Sequence, residues 1–142
     1  MFSASNPPNA PDESSLFPVR EEGDVTRVRQ AVRERAAGLG FSIVDQTKLV
    51  TAASELARNT RIYGGGGTVL METLREGFRL GLRLVFEDQG PGIADVDLAL
   101  KDGYTSGSGM GLGLGGARRL VNEFDIHSVP GEGTRVTIVK WK

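Results

Sequence analysis

The segment Leu80–Ile93 constrains the fold of this chain more than any other stretch of the sequence. An apolar run, Leu80–Phe86, leads to the acids Glu87 and Asp88 and then to Gly90-Pro91-Gly92. The interior of a strand or a helix does not tolerate that combination of glycine and proline. The segment therefore predicts the end of a buried strand, with one carboxylate fixed at its tip beside a tight turn.

Two interpretations of Asp88 follow from this position. As an acceptor at a strand end, it could bind the exocyclic amino group of adenine, and Gly90 and Gly92 would let the backbone lie against the flat base. Alternatively, Asp88 only stabilises its own turn, because Asp-x-Gly-x-Gly also describes many ordinary turns. The segment alone leaves both interpretations open.

Apolar periodicity elsewhere predicts a single α+β domain over residues 16–142, after a disordered tail, residues 1–15, that is rich in Pro, Asn, Ser and Ala. The expected elements are an edge strand at 16–19, a helix capped by Asp24 that runs to about Gly38, a helix from about 42 to 63, strands at 68–74 and 78–87, a short helix at 96–100, a helix at 112–124, and strands at 125–129 and 134–141. This order suits a largely antiparallel or mixed sheet with helices on one face.

Composition excludes several classes of function. A net charge of −1 argues against a dedicated nucleic-acid binder. The absence of cysteine excludes disulfides and thiolate metal sites, and a single histidine, His127, disfavours a zinc site. No apolar run approaches the roughly 18 residues needed to span a bilayer. A cytoplasmic protein without a nucleic-acid or membrane partner is therefore expected.

Glu55 and Asn59 stand four residues apart on the second predicted long helix, so they share one face of it. A surface Glu with an Asn near the helix end is the favoured interpretation when the pair is taken alone. The functional interpretation is a general base and a magnesium ligand one turn apart. Magnesium prefers oxygen ligands and keeps several waters, so one amide oxygen together with ligand phosphates could hold it.

A glycine run, Gly107–Gly116, opens onto the third predicted long helix. It contains a formal GxGxxG pattern, but no apolar strand precedes it and no acid follows at the spacing of a dinucleotide-binding unit. The remaining interpretations are a flexible loop or a glycine-rich loop that binds phosphate at a helix N-terminus. Near the end of the chain, Gly133-Thr134 begins a strand, where threonine is usually only a good β-former.

The order of these signals resembles the GHKL ATP-binding superfamily, which includes gyrase-like ATPases, Hsp90, MutL, histidine kinases and anti-sigma serine kinases. The matching motifs are Glu55-x-x-x-Asn59, Asp88-x-Gly90-x-Gly92, Gly109-x-Gly111-Leu112-Gly113-Leu114 and Gly133-Thr134. The resemblance extends over nearly the whole chain from about Leu16. Residues 101–138 and the N-terminal half are most similar to the RsbT-type switch kinases of bacterial stressosomes.

The resemblance implies a two-layer α/β sandwich with a mixed sheet and helices on one face, the Bergerat ATP-binding fold, with ATP and Mg²⁺ as cofactors. Glu55 would be the general base that accepts the proton of an attacking hydroxyl, and Asn59 would hold the magnesium ion. Asp88, supported by Thr134, would bind the adenine amino group, and Gly90 and Gly92 would accommodate the base.

The same resemblance assigns the phosphates to Gly107, Gly109, Met110, Gly111, Leu112 and Gly113. Met110 stands where relatives often have a small hydroxyl residue, and Tyr63 replaces a basic residue that is common after the asparagine. The implied function is an ATP-dependent serine/threonine kinase that phosphorylates a STAS-domain antagonist or scaffold in a partner-switching pathway, with a downstream phosphatase or a sigma factor as further partners. The alternative is an anti-sigma factor that sequesters a sigma factor by nucleotide-gated binding.

Overall fold

A computed structural model of the chain describes residues 13–101 and 113–142. The elements within these ranges are β1 (Glu13–Val19), α1 (Glu22–Gly38), α2 (Ile43–Ile62), β2 (Gly67–Glu76), β3 (Arg79–Asp88), α3 (Val96–Ala99), α4 (Leu114–Arg119), β4 (Glu123–Val129) and β5 (Gly133–Trp141). The strands form one sheet in the order β1-β2-β3-β5-β4. Each of these neighbouring pairs is antiparallel. The sequence allowed an antiparallel or a mixed sheet, and the structure has the antiparallel one. The α+β class is confirmed.

The core lies between the sheet and the two long helices. Along β3, Leu82, Leu84 and Phe86 are buried, whereas Arg83 and Val85 on the other face remain partly exposed. This alternation follows from the two-residue period of a strand. Helix α2 contacts β1, β2 and β3, and α1 packs on α2 and on β1. Small buried residues on α2 let its backbone approach the sheet: Ala52, Ala53 and Ala57.

The first strand begins earlier than the sequence predicts. Glu13–Ser15, assigned to the tail, pair with β2 and extend the predicted edge strand. Arg35 of α1 holds this part in place, because its guanidinium donates to the hydroxyls of Ser15 and Thr73 at 2.9 Å each. The prediction of disorder for residues 1–12 lies outside the described part of the chain.

Helix α4 ends at Arg119, whereas the periodicity predicts a helix as far as residue 124. Asn122 accounts for the difference. Its backbone N–H donates to the carbonyl of Val139 at 3.0 Å, and its side-chain oxygen accepts from the N–H of Trp141 at 2.7 Å. Both bonds join the chain to β5, so β4 starts at Glu123 in place of another helical turn.

The N-cap of α1 is Glu21, and the sequence prediction of Asp24 as the cap is therefore wrong by three positions. Asp24 lies in the first turn, where its carboxylate accepts the backbone N–H groups of Arg20 at 2.9 Å and Glu21 at 3.0 Å. It also pairs with Arg27. The N–H of Arg20, then that of Glu21 and then the Arg27 guanidinium lower the pKa of Asp24 from 3.8 to about 2.

Asp24→Asn is expected to lower the thermal unfolding midpoint at pH 7 by a few degrees, because the ionised carboxylate accepts the N–H groups of the N-cap residue Glu21 and of Arg20 before it. A carboxyl whose pKa is depressed by folding stabilises the protein above its unfolded pKa and loses that effect as the pH falls through its folded pKa. The difference in unfolding midpoint between the wild type and the variant should thus become smaller between pH 4 and pH 2. Circular dichroism melts across this range measure it. Glu34→Gln, an exposed change on the same helix, serves as control, and a gap independent of pH would contradict the assignment.

None of the helices in the described part of the chain combines the length and the apolar character needed to cross a membrane.

Candidate functional site

The strand register brings together two residues that lie far apart in the sequence. Asp88, the last residue of β3, pairs with Gly67 on β2 and with Thr134 on β5. The strand ends at Asp88, one residue beyond the bound predicted from the sequence. The antiparallel pairing of β3 with β5 places Thr134 directly beside Asp88, as the predicted association of the two residues requires.

The Asp88 carboxyl group is half-buried, and this burial raises its pKa above the ordinary value of 3.8. The backbone N–H groups of Gly90 and Thr134 oppose the shift by donating to the carboxylate, and the first of these bonds measures 2.9 Å. The bond to Gly90 is the turn-stabilising contact of the simpler interpretation. It engages one carboxylate oxygen, Oδ1, so it does not exclude a ligand contact.

Asn59, Asp88 and Thr134 line one cavity, together with an apolar set comprising Leu56, Phe86, Ile93, Leu114 and Val136, and with Thr60 and Tyr63. Most of this lining is apolar, and the cavity opens to solvent. Apolar walls with a few polar groups suit a flat heterocycle that carries an amino group.

Glycines around Asp88 are required by close contacts within the protein itself. A Cβ on Gly64 would lie 2.6 Å from the Cβ of Asp88, and one on Gly90 would lie 2.6 Å from the carbonyl oxygen of Gly64. Gly92 has a φ of +73° and packs against the backbone of Val129. Packing of backbone on backbone thus explains Gly90 and Gly92, whereas the sequence interpretation invoked the space taken by a base.

Glu55 lies beside this cavity, one helical turn before Asn59. Its carboxylate accepts from Arg58 Nη1 at 2.9 Å and is partly exposed. A Cβ on Gly113 would lie 3.1 Å from the carboxyl carbon of Glu55, so the end of the glycine run contacts the Glu55 side chain. Gly113 caps α4 with a φ of +66°, a left-handed conformation that glycine adopts without strain.

Five of the predicted phosphate-binding residues lie outside the described residues: Gly107, Gly109, Met110, Gly111 and Leu112. Their assignment to the phosphates stays a prediction. Among the residues that the structure does describe, there is no cluster of three or more His, Cys, Asp or Glu side chains that could hold a metal ion. A magnesium ion held through Asn59 would accordingly take most of its ligands from phosphate and water.

Sequence reasoning missed Ser128, whose hydroxyl joins the two sides of the site. Its Oγ lies 2.8 Å from the hydroxyl of Thr134 and accepts the backbone N–H of Ile93 at 2.7 Å. Ser128 pairs with Thr134 across the β4–β5 hairpin. A correct hairpin register drawn through Pro130–Gly133 would have placed the two side by side, but a serine within a strand gives no signal of its own.

A sequence comparison identifies the class of protein to which this helix-covered antiparallel sheet belongs. The family described as histidine kinase-, DNA gyrase B-, and HSP90-like ATPase matches residues 44–142, and the chain belongs to this family. The resemblance predicted from the motifs is confirmed.

Within the family, the chain is 42% identical over 130 residues to the serine/threonine-protein kinase RsbT of Bacillus subtilis (strain 168), covering 92% of this chain and 98% of that protein. It is 30% identical over 118 residues to an anti-sigma F factor of Caldanaerobacter subterraneus subsp. tengcongensis, covering 80% of this chain and 82% of that relative. The crystal structure of the RsbU and RsbW domains of Rv1364c from Mycobacterium tuberculosis shares the fold, with a TM-score of 0.63 and 20% identity over 93% of this chain and 34% of that one.

Gly64→Ala is expected to weaken ATP binding by about tenfold or more, because the added methyl group must displace the Asp88 side chain. Isothermal titration calorimetry with ATP measures the change, and the circular dichroism spectrum reports whether the fold is kept. Gly38→Ala is the matched control, since an added Cβ there meets no atom within 4 Å. Equal ATP affinity in the two folded variants would show that the position of Asp88 does not matter for binding.

Proposed function

We propose that the chain is an ATP-dependent serine/threonine protein kinase that phosphorylates a STAS-domain protein in a bacterial partner-switching pathway. The kinase class is supported by the 42% identity to a serine/threonine-protein kinase over nearly the full length of both chains. The structural observation that carries the proposal is the convergence of Asn59, Asp88 and Thr134 on one cavity, with Glu55 one turn away.

At the base-binding end, Asp88 in its ionised form accepts a hydrogen bond from the adenine amino group. Ser128 holds the Thr134 hydroxyl beside this carboxylate. Apolar side chains surround this half-buried carboxylate, and a hydrogen bond to a charged acceptor is stronger in a less polar environment.

At the phosphate end, Asn59 would hold a magnesium ion through its amide oxygen, and the ion would supply neutralisation of the phosphate charge. Glu55 accepts the proton of the attacking serine or threonine hydroxyl. Phosphoryl transfer asks little covalent chemistry of the protein, so alignment of the two substrates and one positioned base suffice. The salt bridge with Arg58 keeps the Glu55 carboxylate oriented on the exposed side of α2.

The second candidate is an anti-sigma factor that sequesters a sigma factor. It is favoured by the 30% identity to an anti-sigma F factor over about four-fifths of each chain. Under the kinase function, the chain released after phosphorylation of the STAS protein would act on a downstream phosphatase. Under the alternative, nucleotide binding would gate capture of the sigma factor.

Affinity capture from the native host, with the tagged full-length chain and mass spectrometry, separates the two candidates. The kinase proposal expects recovery of a STAS-domain protein that becomes phosphorylated when ATP and Mg²⁺ are added. Recovery of a sigma factor, without a STAS-domain protein, would favour sequestration.

A further inference from the structure

A second cavity lies between the N-terminal half of α1 and the C-terminal half of α2, away from the nucleotide site. It encloses about 460 Å³ of space open to solvent. Three arginines line it, Arg29 from α1 and Arg58 and Arg61 from α2, and its one acidic side chain is the exposed Glu22. The cavity therefore carries an excess of positive charge in a chain whose net charge is −1.

The arginines of this cavity are incompletely paired. Arg58 bonds to Glu55, but within residues 13–101 and 113–142 neither Arg29 nor Arg61 has a carboxylate within 4.0 Å. The Nε atom of Arg61 is buried and has no hydrogen-bond partner in the same part of the chain. Buried donors in folded proteins are nearly always satisfied, and a small shift of the Arg61 side chain would bring this N–H to an acceptor in the cavity. The planar array of guanidinium donors matches a carboxylate.

The apolar part of the wall indicates what kind of anion fits. Val25 is buried in the wall, whereas Ile62 is 44% exposed at its rim. A free inorganic anion gains nothing from these apolar groups, but the methylenes of an Asp or Glu side chain and the backbone next to it would cover them. The lining thus favours a segment of protein.

Arg58 connects this cavity to the catalytic base. Its guanidinium lines the cavity and also donates to Glu55 Oε1 at 2.9 Å. A segment bound here would lie one side chain away from the group that accepts the hydroxyl proton. We propose that this cavity, termed the arginine cavity, docks an acidic side chain of the protein substrate and so presents a nearby serine or threonine hydroxyl to Glu55. The proposal rests on the kinase function above for the identity of the occupant.

Nuclear magnetic resonance of the arginine Nε–Hε groups tests the site directly in the full-length chain. Hexaglutamate is the probe, with inorganic phosphate and hexalysine in parallel titrations. We expect hexaglutamate to shift the Arg61 Nε–Hε resonance in a saturable manner and hexalysine to leave it in place. Arg29→Gln should weaken that response, while Arg33→Gln, one turn along the same helix face and outside the cavity, should keep it. The absence of a shift with hexaglutamate, or a saturable shift with phosphate alone, would overturn the proposal.

Kinetics with the STAS-domain protein recovered by affinity capture test the docking role. Arg61→Gln should raise the KM for the protein substrate by about tenfold, the effect of one lost charge-assisted hydrogen bond, and leave the KM for ATP unchanged. An unchanged KM for the protein substrate would contradict docking in the arginine cavity. If the wild-type chain phosphorylates no STAS-domain protein, the proposed function fails, and the resonance titration still decides whether the cavity binds acidic segments.

Discussion

Asp88→Asn is expected to weaken ATP binding by at least about 100-fold, since a site built around one buried acceptor rejects a ligand that it can no longer pair with. The amide of asparagine can turn a donor toward the adenine amino group, and the charge-assisted bond is lost in any orientation. Isothermal titration calorimetry with ATP and Mg²⁺ measures the effect.

Glu87→Gln is the matched control for this substitution. Glu87 precedes Asp88 on the same strand, but its side chain is 47% exposed and lies 4.0 Å from Arg135. Its affinity for ATP should equal that of the wild type. If Asp88→Asn binds ATP within threefold of the wild type while remaining folded, Asp88 does not bind the base.

The preference for ATP over GTP and the pH dependence of binding also test whether Asp88 binds the base. Guanine carries an oxygen acceptor where adenine carries its amino donor, so the wild type should prefer ATP over GTP and Asp88→Asn should lose that preference. Burial raises the pKa of Asp88, and only the ionised form accepts the amino group. Affinity of the wild type should therefore fall on acidification at a pH above 3.8, the ordinary value for the group.

Glu55→Gln is expected to bind ATP normally and to transfer phosphate about 100- to 10,000-fold more slowly, the usual contribution of a positioned general base. Glu55 lies beside the cavity and contacts Gly113 and Arg58, while Asp88, Thr134 and the apolar walls that receive the base are unchanged. Single-turnover transfer to the STAS-domain protein measures the chemical step, and calorimetry measures binding.

Glu34→Gln controls for the loss of one acid from a helix surface and should transfer at the wild-type rate. Transfer by Glu55→Gln at a rate within threefold of the wild type would remove Glu55 from the role of base. A loss of ATP binding in the same variant would instead place the carboxylate among the nucleotide contacts.

The position of Asp88 at the end of a strand could be predicted from the sequence because the signals for it are local. An apolar run followed by glycine and proline ends a strand wherever it occurs, and β3 stops at Asp88 in the structure. The helical spacing that puts Glu55 and Asn59 on one face depends only on the 3.6-residue period, and both lie on α2. These parts of the site follow from properties of single elements.

Features that depend on contacts between elements could not be predicted in the same way. The bond from Ser128 to Thr134 depends on the register of β4 and β5, and the end of α4 depends on Asn122 bonding to β5. The requirement for Gly90 arises from its contact with Gly64, which belongs to a different loop. The apolar periodicity of a single helix or strand gives no information about contacts between elements.

Transfer of radiolabel from γ-³²P-ATP to the STAS-domain protein captured from the native host tests the central proposal most directly. With the wild-type chain and Mg²⁺, label should appear on a serine or threonine of that protein, and Asp88→Asn and Glu55→Gln should both fail to transfer it. Binding of ATP by the folded wild-type chain with no label on any STAS-domain protein of the host would contradict the kinase function.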